Sequence, residues 1–170
     1  MIDRDGYRFN VGIILSNDDK SVFWAKRYRQ NAWQFPQGGI APSESPEEAM
    51  YRELYEEVGL RTKDVEIIGR TSRWLRYDLP KRFIRRNNRP ICKGQKQIWF
   101  MLRMVADDAK VNLNKHNKPE FDEWRWVDYW QPVNDVVYFK QDVYSAALNE
   151  LAPMVFEHHQ IPPKPKQQRR

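Results

Sequence analysis

Short apolar stretches separated by polar breaks run through most of this chain. Residues 7–15 are mostly apolar and β-branched toward their end, which predicts a strand. Asn17-Asp18-Asp19 supplies turn chemistry before a second predicted strand over 21–26. Trp33-Gln34-Phe35-Pro36 then leads into Gln37-Gly38-Gly39, a glycine pair suited to a tight bend. The clearest helix follows. Ser45 is a good N-cap, Pro46 fits the first turn, and Glu48 completes a capping box. Gly59 should stop the helix just after Val58. Residues 65–77, 98–105 and 123–127 have strand-like composition, the last alternating as a half-buried strand does. A second helix is predicted over 140–158, kinked or shortened by Pro153. These elements imply a mixed α/β domain over residues 1–158, with helices packed on a sheet. Residues 159–170 form a basic, proline-rich tail with nothing hydrophobic to bury from Pro162 onward, and are expected to be disordered.

Composition narrows the class. With 170 residues, 41% of them apolar and 31% charged, the chain suits one globular domain. No apolar run reaches the ~18 residues that would cross a bilayer. The charged start, Ile2-Asp3-Arg4-Asp5, lacks the apolar core of a signal peptide. A single cysteine, Cys92, excludes an internal disulfide framework. The expected compartment is the cytoplasm. The net charge of +6 is unevenly spread: residues 70–96 hold ten Lys or Arg and one acid, Asp78. That local excess of +9 suits a polyanion, although a solvated basic loop would look the same.

Chemistry concentrates on the capped helix. Glu53, Glu56 and Glu57 stand at i, i+3 and i+4, so their carboxylates share one face. Like charges at that spacing destabilise a helix unless something compensates them. A hard divalent cation would do so, because Mg²⁺ prefers oxygen ligands and keeps waters that a phosphate can displace. A merely solvated acidic face is the plain alternative. Arg52 can pair with Glu56 one turn on or orient a neighbouring carboxylate. His116, His158, His159 and Cys92 have no evident activating partners and suggest no catalysis of their own.

From Gly38 to Leu60 the residues fit Gly-x5-Glu-x7-Arg-Glu-Leu-x-Glu-Glu-x-Gly-Leu, with Glu44 as the first acid. Every fixed position of that pattern is filled, and the segment resembles the signature box of the Nudix hydrolases. The resemblance implies a mixed β-sheet sandwiched between helices, with the box forming a loop–helix–loop metal site. It implies that Glu53, Glu56 and Glu57 hold a divalent cation, Mg²⁺ or alternatively Mn²⁺, and that Arg52 orients the carboxylates. Glu44, Gly38, Gly39 and Gly59 would shape the loops. Family members often add an acid from outside the box, and Glu120 is the candidate here. Such a site would activate a water for in-line attack on a phosphoanhydride, with Glu57 or Glu120 accepting the proton.

More of the chain is similar to the RNA pyrophosphohydrolase branch of that family, which is bacterial. Asp5-Gly6-Tyr7-Arg8, residues 33–40, Trp74-Leu75-Arg76-Tyr77 with Leu79-Pro80, Gly94-Gln95-Lys96-Gln97, Pro119-Glu120-Phe121-Asp122, Trp124-Arg125-Trp126-Val127 and residues 136–140 carry the similarity. Phe9 departs from it, standing where many relatives are expected to have proline. The similarity implies conversion of 5′-triphosphate or 5′-diphosphate RNA to 5′-monophosphate RNA, which promotes mRNA decay. It nominates Arg8, Arg27, Tyr77, Val137, Phe139 and Lys140 as RNA contacts, with Phe139 stacking on a base. Alternatively, Phe139 is a hydrophobic staple at the start of the last helix. A dinucleoside polyphosphate hydrolase shares the same box and is the nearer rival reading, and nucleotide polyphosphates are therefore conceivable second substrates. A non-catalytic Nudix-fold RNA-binding protein is the more distant one, since such a protein should show gaps among the box glutamates. Protein activators leave no signature in the sequence.

Overall fold

A computed structural model describes residues 1–168. The spine is a parallel pair. Strand β1 (Tyr7–Ser16) runs alongside β7 (Gly94–Met104) in unbroken register from Tyr7 opposite Gly94 to Ser16 opposite Arg103. All other pairings among the described strands are antiparallel. β2 (Val22–Arg27) follows β1 and is flanked by β3 (Trp33–Gln34) and β8 (Phe121–Val127). β4 (Gln37–Gly39) returns to the N-terminal half of β1. β5 (Val65–Arg70) covers one end of β7 and β6 (Leu75–Asp78) the other. The sheet is therefore mixed, as expected.

Period-two alternation gives this sheet two apolar faces. Val11, Ile13, Leu15, Phe23, Ile98, Phe100 and Leu102 pack with Met50, Leu54 and Val58 of helix α1 (Pro46–Val58). Ile14, Trp24, Trp99 and Met101 point the other way, toward Tyr144, Ala147, Leu148 and Leu151 of helix α3 (Gln141–Val155). Helix α1 begins as its sequence predicts, with Ser45 Oγ accepting the Glu48 backbone N–H at 3.1 Å. It ends at Gly59, whose φ of 79° lies in the left-handed region that glycine adopts without strain. No helix among the described residues is long and apolar enough to cross a membrane.

Three expectations shift. The predicted strand over 65–77 is two strands, because the ladder stops at Thr71: its N–H still donates to the Trp99 carbonyl, but its Oγ in place of its carbonyl accepts the Trp99 N–H at 3.0 Å. The second helix ends at Val155 rather than His158. Pro153 cannot donate to the carbonyl of Asn149, and only two residues of helix follow it. A short helix, α2 (Gln131–Asp135), was not anticipated.

Residues 162–168 of the expected free tail lie against α2 and α3. The Trp130 indole N–H donates to the Pro162 carbonyl at 2.8 Å, and Lys164 Nζ reaches Ser145 Oγ. Gln167 donates to Asp142, and Asn134 holds the Gln168 N–H. These are polar and backbone contacts, which hydrophobic patterning does not register. Residues 169 and 170 of that tail lie outside the described residues.

Candidate active site

Helix α1 places the acidic cluster against β4. Arg52 is its hub. The guanidinium forks onto Glu44, Nε to Oε2 at 2.6 Å and Nη2 to Oε1 at 2.8 Å, and Nη2 also donates to the Gly39 carbonyl. Its Nη1 lies 2.7 Å from Glu53 Oε1 and 3.5 Å from Glu56 Oε2. Pairing with Glu56 and orientation of a neighbour, the two roles open in the sequence, are thus both present. The Arg52 hydrogen bonds hold the Glu44 carboxyl down at about 2. Glu44 also accepts the Ala41 N–H, which closes the loop that leads into the helix.

Glu53 and Glu57 are buried, whereas Glu56 is half-exposed. Burial raises the Glu53 carboxyl above the ordinary range, against the opposing pull of Arg52. Glu57 is pushed further up, first by burial and then by the charges of Glu53 and Glu120. Its partner on the loop side is the Gln37 backbone N–H, at 3.2 Å from Oε2. Glu120 sits just before β8, anchored by its carbonyl to the Tyr28 N–H, with a carboxylate oxygen 3.8 Å from Arg27 Nε.

As the side chains stand, no three acidic, histidine or cysteine groups among the described residues converge as a ready-made ligand set. Arg52 lies between Glu53 and Glu56. The donor chemistry nevertheless fits a hard cation. Glu57 is a buried carboxylate facing two like charges with no cationic side chain among the described residues bonded to it, an arrangement that a divalent ion would relieve.

The glycines act differently from one another. Gly38 and Gly39 do not make a tight bend: both lie in β4, and neither has positive φ. A Cβ on Gly38 would fall 1.9 Å from Glu53 Cδ, so its missing side chain lets the carboxylate lie on the strand. At Gly39 a Cβ would meet nothing closer than Arg8 Cδ at 3.8 Å. Gly59 caps α1 and also sits close over the Asn112 backbone.

A cavity of about 540 Å³ opens on the α3 side of β2, lined by Arg27, Gln34, Phe83, Val137, Phe139 and Lys140 among others. Lys140 is buried, with Nζ donating to Gln34 Oε1 at 3.2 Å, and desolvation lowers its ammonium to about 8. The Phe139 ring lies 5.8 Å from Tyr77 and 5.9 Å from Phe83. Tyr77 is buried beneath it, and its hydroxyl is pushed up to about 12 by that burial. Val137 is exposed at the rim. Arg8 is not part of this cavity. It lines a neighbouring one of about 740 Å³, with Arg85, Arg89 and Phe83. Phe83 borders both. Sequence reasoning missed Phe83 and Gln34. The only hint of the first was an apolar residue standing between Arg82 and Arg85 in a basic run.

Of the ten cations over residues 70–96, only Lys96 forms an ion pair among the described residues, with Asp3 at 2.8 Å. The others are exposed, including Arg85, Arg86 and Arg89. This leaves the basic surface free to meet an external anion.

The comparisons agree with this architecture. The NUDIX domain profile matches residues 6–147. A protein of Thioalkalivibrio sulfidiphilus named RNA pyrophosphohydrolase is 63% identical over 156 residues, spanning 92% of this chain and 90% of its own. One of Vibrio vulnificus with the same name is 60% identical over 152 residues, 89% of this chain and 88% of that one. Among solved structures, the Escherichia coli dihydroneopterin triphosphate pyrophosphohydrolase aligns with a TM-score of 0.64 at 16% identity, covering 85% of this chain and 98% of its own. At that identity it speaks for the fold alone. With the box complete, its helix packed under a mixed sheet and the profile covering most of its length, this chain belongs to the Nudix hydrolase family.

Proposed function

We propose that the protein is an RNA 5′ pyrophosphohydrolase, removing phosphate from 5′-triphosphate or 5′-diphosphate RNA to leave a 5′-monophosphate and so promote mRNA decay. The observation that carries this reading is the 63% identity to a protein of that name across nearly the full length of both chains. The unpaired basic surface beside the cleft supports it, since phosphate contacts dominate RNA affinity. We assign the catalytic domain to residues 1–158 and the compartment to the cytoplasm.

Nudix hydrolases use divalent metal cations. Glu53, Glu56 and Glu57 are the ligands we assign, with Glu120 beside them, and Mg²⁺ is the assigned ion, with Mn²⁺ as the alternative. Such an ion, when bound, neutralises the anhydride oxygens and lowers the pKa of the attacking water. Arg52 is a positioning residue, holding Glu44, Glu53 and the Gly39 carbonyl in one arrangement. Glu57 or Glu120 is the proton acceptor we assign, each being a carboxylate at the edge of the box. Arg27 and Phe139 would bracket a base near the 5′ end, with Lys140, Val137 and Tyr77 forming the wall, and Arg8 would meet phosphate from the adjoining cavity.

The test is a competition between a 5′-triphosphate RNA and diadenosine tetraphosphate in one reaction, comparing kcat/KM. A preference for the RNA is expected. A preference for the dinucleotide would move the protein to the rival hydrolase class.

A further inference from the structure

The cavity beside Phe139 does not end there. Asn31, Trp33, Arg125, Asn134 and Asp135 also line it, and none of them is among the RNA contacts assigned so far. The Arg125 guanidinium carbon lies over the Trp33 ring, 4.3 Å from its centroid, the shortest cation–π distance among the described residues. Two antiparallel registers bring the pair together. Arg125 of β8 stands opposite Trp24 of β2, and Trp33 of β3 stands opposite Lys26. Trp24 and Lys26 are two residues apart, so both partners project from the α3 face of the sheet.

We propose that Arg125, held flat by Trp33, is a stacking platform for the nucleotide that follows the one bracketed at Phe139. This rests on the RNA reading of the site. Arg125 is exposed and forms no ion pair among the described residues, whereas Trp33 is only half-exposed beneath it. Its outer face is thus free while its inner face is occupied. A guanidinium plane serves a base as an aromatic ring does, and it brings a charge for the following phosphate. Along β2, Trp24 precedes Arg27 by three residues, about 10 Å at the rise of a strand. That step lies within reach of the next nucleotide of a strand already held between Arg27 and Phe139. Asn31, which is exposed, lines the same cavity with an amide group that can meet a base edge. The platform therefore predicts a length requirement: RNA must extend past the nucleotide bracketed at Phe139 to gain it.

The experiment uses the full chain with 5′-monophosphate oligonucleotides of two and four nucleotides, whose binding needs no turnover, and 5′-triphosphate RNAs of the same lengths. For the unaltered protein, the longer RNA should bind at least fivefold tighter and show a matching rise in kcat/KM. Arg125→Ala should abolish that gain. Arg125→Lys, which keeps the charge without the plane, should lose most of it as well. Exposure of Arg125 makes both variants compatible with folding, and their melting temperatures check this directly. A length gain that survives in Arg125→Ala overturns the platform, as does one that survives fully in Arg125→Lys, which would make Arg125 a simple phosphate contact. If the protein hydrolyses no triphosphate RNA of either length, the RNA reading itself falls and the platform with it. Hydrolysis without a length gain sinks the platform alone.

Discussion

The backbone N–H of Gln37 donates to Glu57 across 20 residues of sequence, joining the strand of the glycine pair to helix α1. That bond lies beside the Gly38–Glu53 approach, so β4 and α1 are fixed to each other at two adjacent points. The carboxylates are therefore presented on a rigid frame, and changes to them can be read as changes in charge rather than in fold.

Glu53→Gln or Glu56→Gln should lower kcat more than tenfold, a barrier increase above about 1.4 kcal/mol, while the melting temperature without metal stays within a few degrees. Gln keeps the shape and removes the charge that a cation needs. Steady-state rates at saturating Mg²⁺, with thermal melts in chelator, measure both. A variant that keeps more than a tenth of the activity would not have lost a ligand.

Glu57→Gln should do something further: raise the stability of the protein in chelator at pH 8. The folded state holds the Glu57 carboxyl well above its unfolded value, so it binds more protons than the unfolded chain in the interval between the two. Stability from this group accordingly falls as pH rises through that interval, and the penalty is absent below the unfolded pKa of roughly 4.3. The advantage of the variant should shrink as pH is lowered toward that value. Added Mg²⁺ should reverse the order, because only the unaltered protein gains fully from binding it. Equal melting temperatures at pH 8 in chelator would contradict a strained buried charge at Glu57.

Binding of a 5′-triphosphate oligonucleotide should weaken with salt, by a logarithmic slope of about −0.7 for each phosphate neutralised. Reversing Arg85 and Arg86 to Glu should flatten that slope. Both residues are exposed, and Arg85 lines the cavity next to Arg8. Affinity measured from low to moderate salt gives the result directly. An unchanged slope would mean that this part of the loop stays solvated when RNA binds.

Phe139→Ala separates recognition from chemistry. A stacked base is worth ~1–3 kcal/mol by alanine substitution, so kcat/KM for triphosphate RNA should fall by about tenfold or more. Diadenosine tetraphosphate should suffer less. Phe139 also packs on Tyr77 and Phe83, so some loss of melting temperature is expected alongside. Equal losses on the two substrates would leave Phe139 a packing residue only.

Helix α1 was legible because capping, periodicity and the box all fall on the same 13 residues, and each is a local signal. The strands showed through their composition, except where polar residues carry the ladder. Gly94-Gln95-Lys96-Gln97 lies before the strand predicted over 98–105, yet it pairs with β1 on one side and β6 on the other. Helix α2 is five residues long, too short for any period to repeat. The cavity beside Phe139 could not be read without a resemblance, because it is made by pairings such as Lys140 with Gln34, 106 residues apart. The same holds for the effect of Glu120 on Glu57. Local chemistry survives in a linear reading, and convergence from distant strands does not.

The parallel pairing of β1 with β7 has a consequence for the order of events during synthesis. Asn10 and Gln97, hydrogen-bonded in the sheet, are 87 residues apart, and helix α1 with all three of its glutamates is translated between them. A nascent chain therefore carries the complete acidic motif well before the strand that gives the sheet its middle has left the ribosome. Until then α1 lacks Ile98, Phe100 and Leu102 to pack on, and β5 and β6 have no strand to join. Such distant pairings form late in folding. Hydrolytic competence thus arrives with the second half of the polypeptide, and a ribosome stalled before residue 94 would display the signature motif on an unfinished, inert chain.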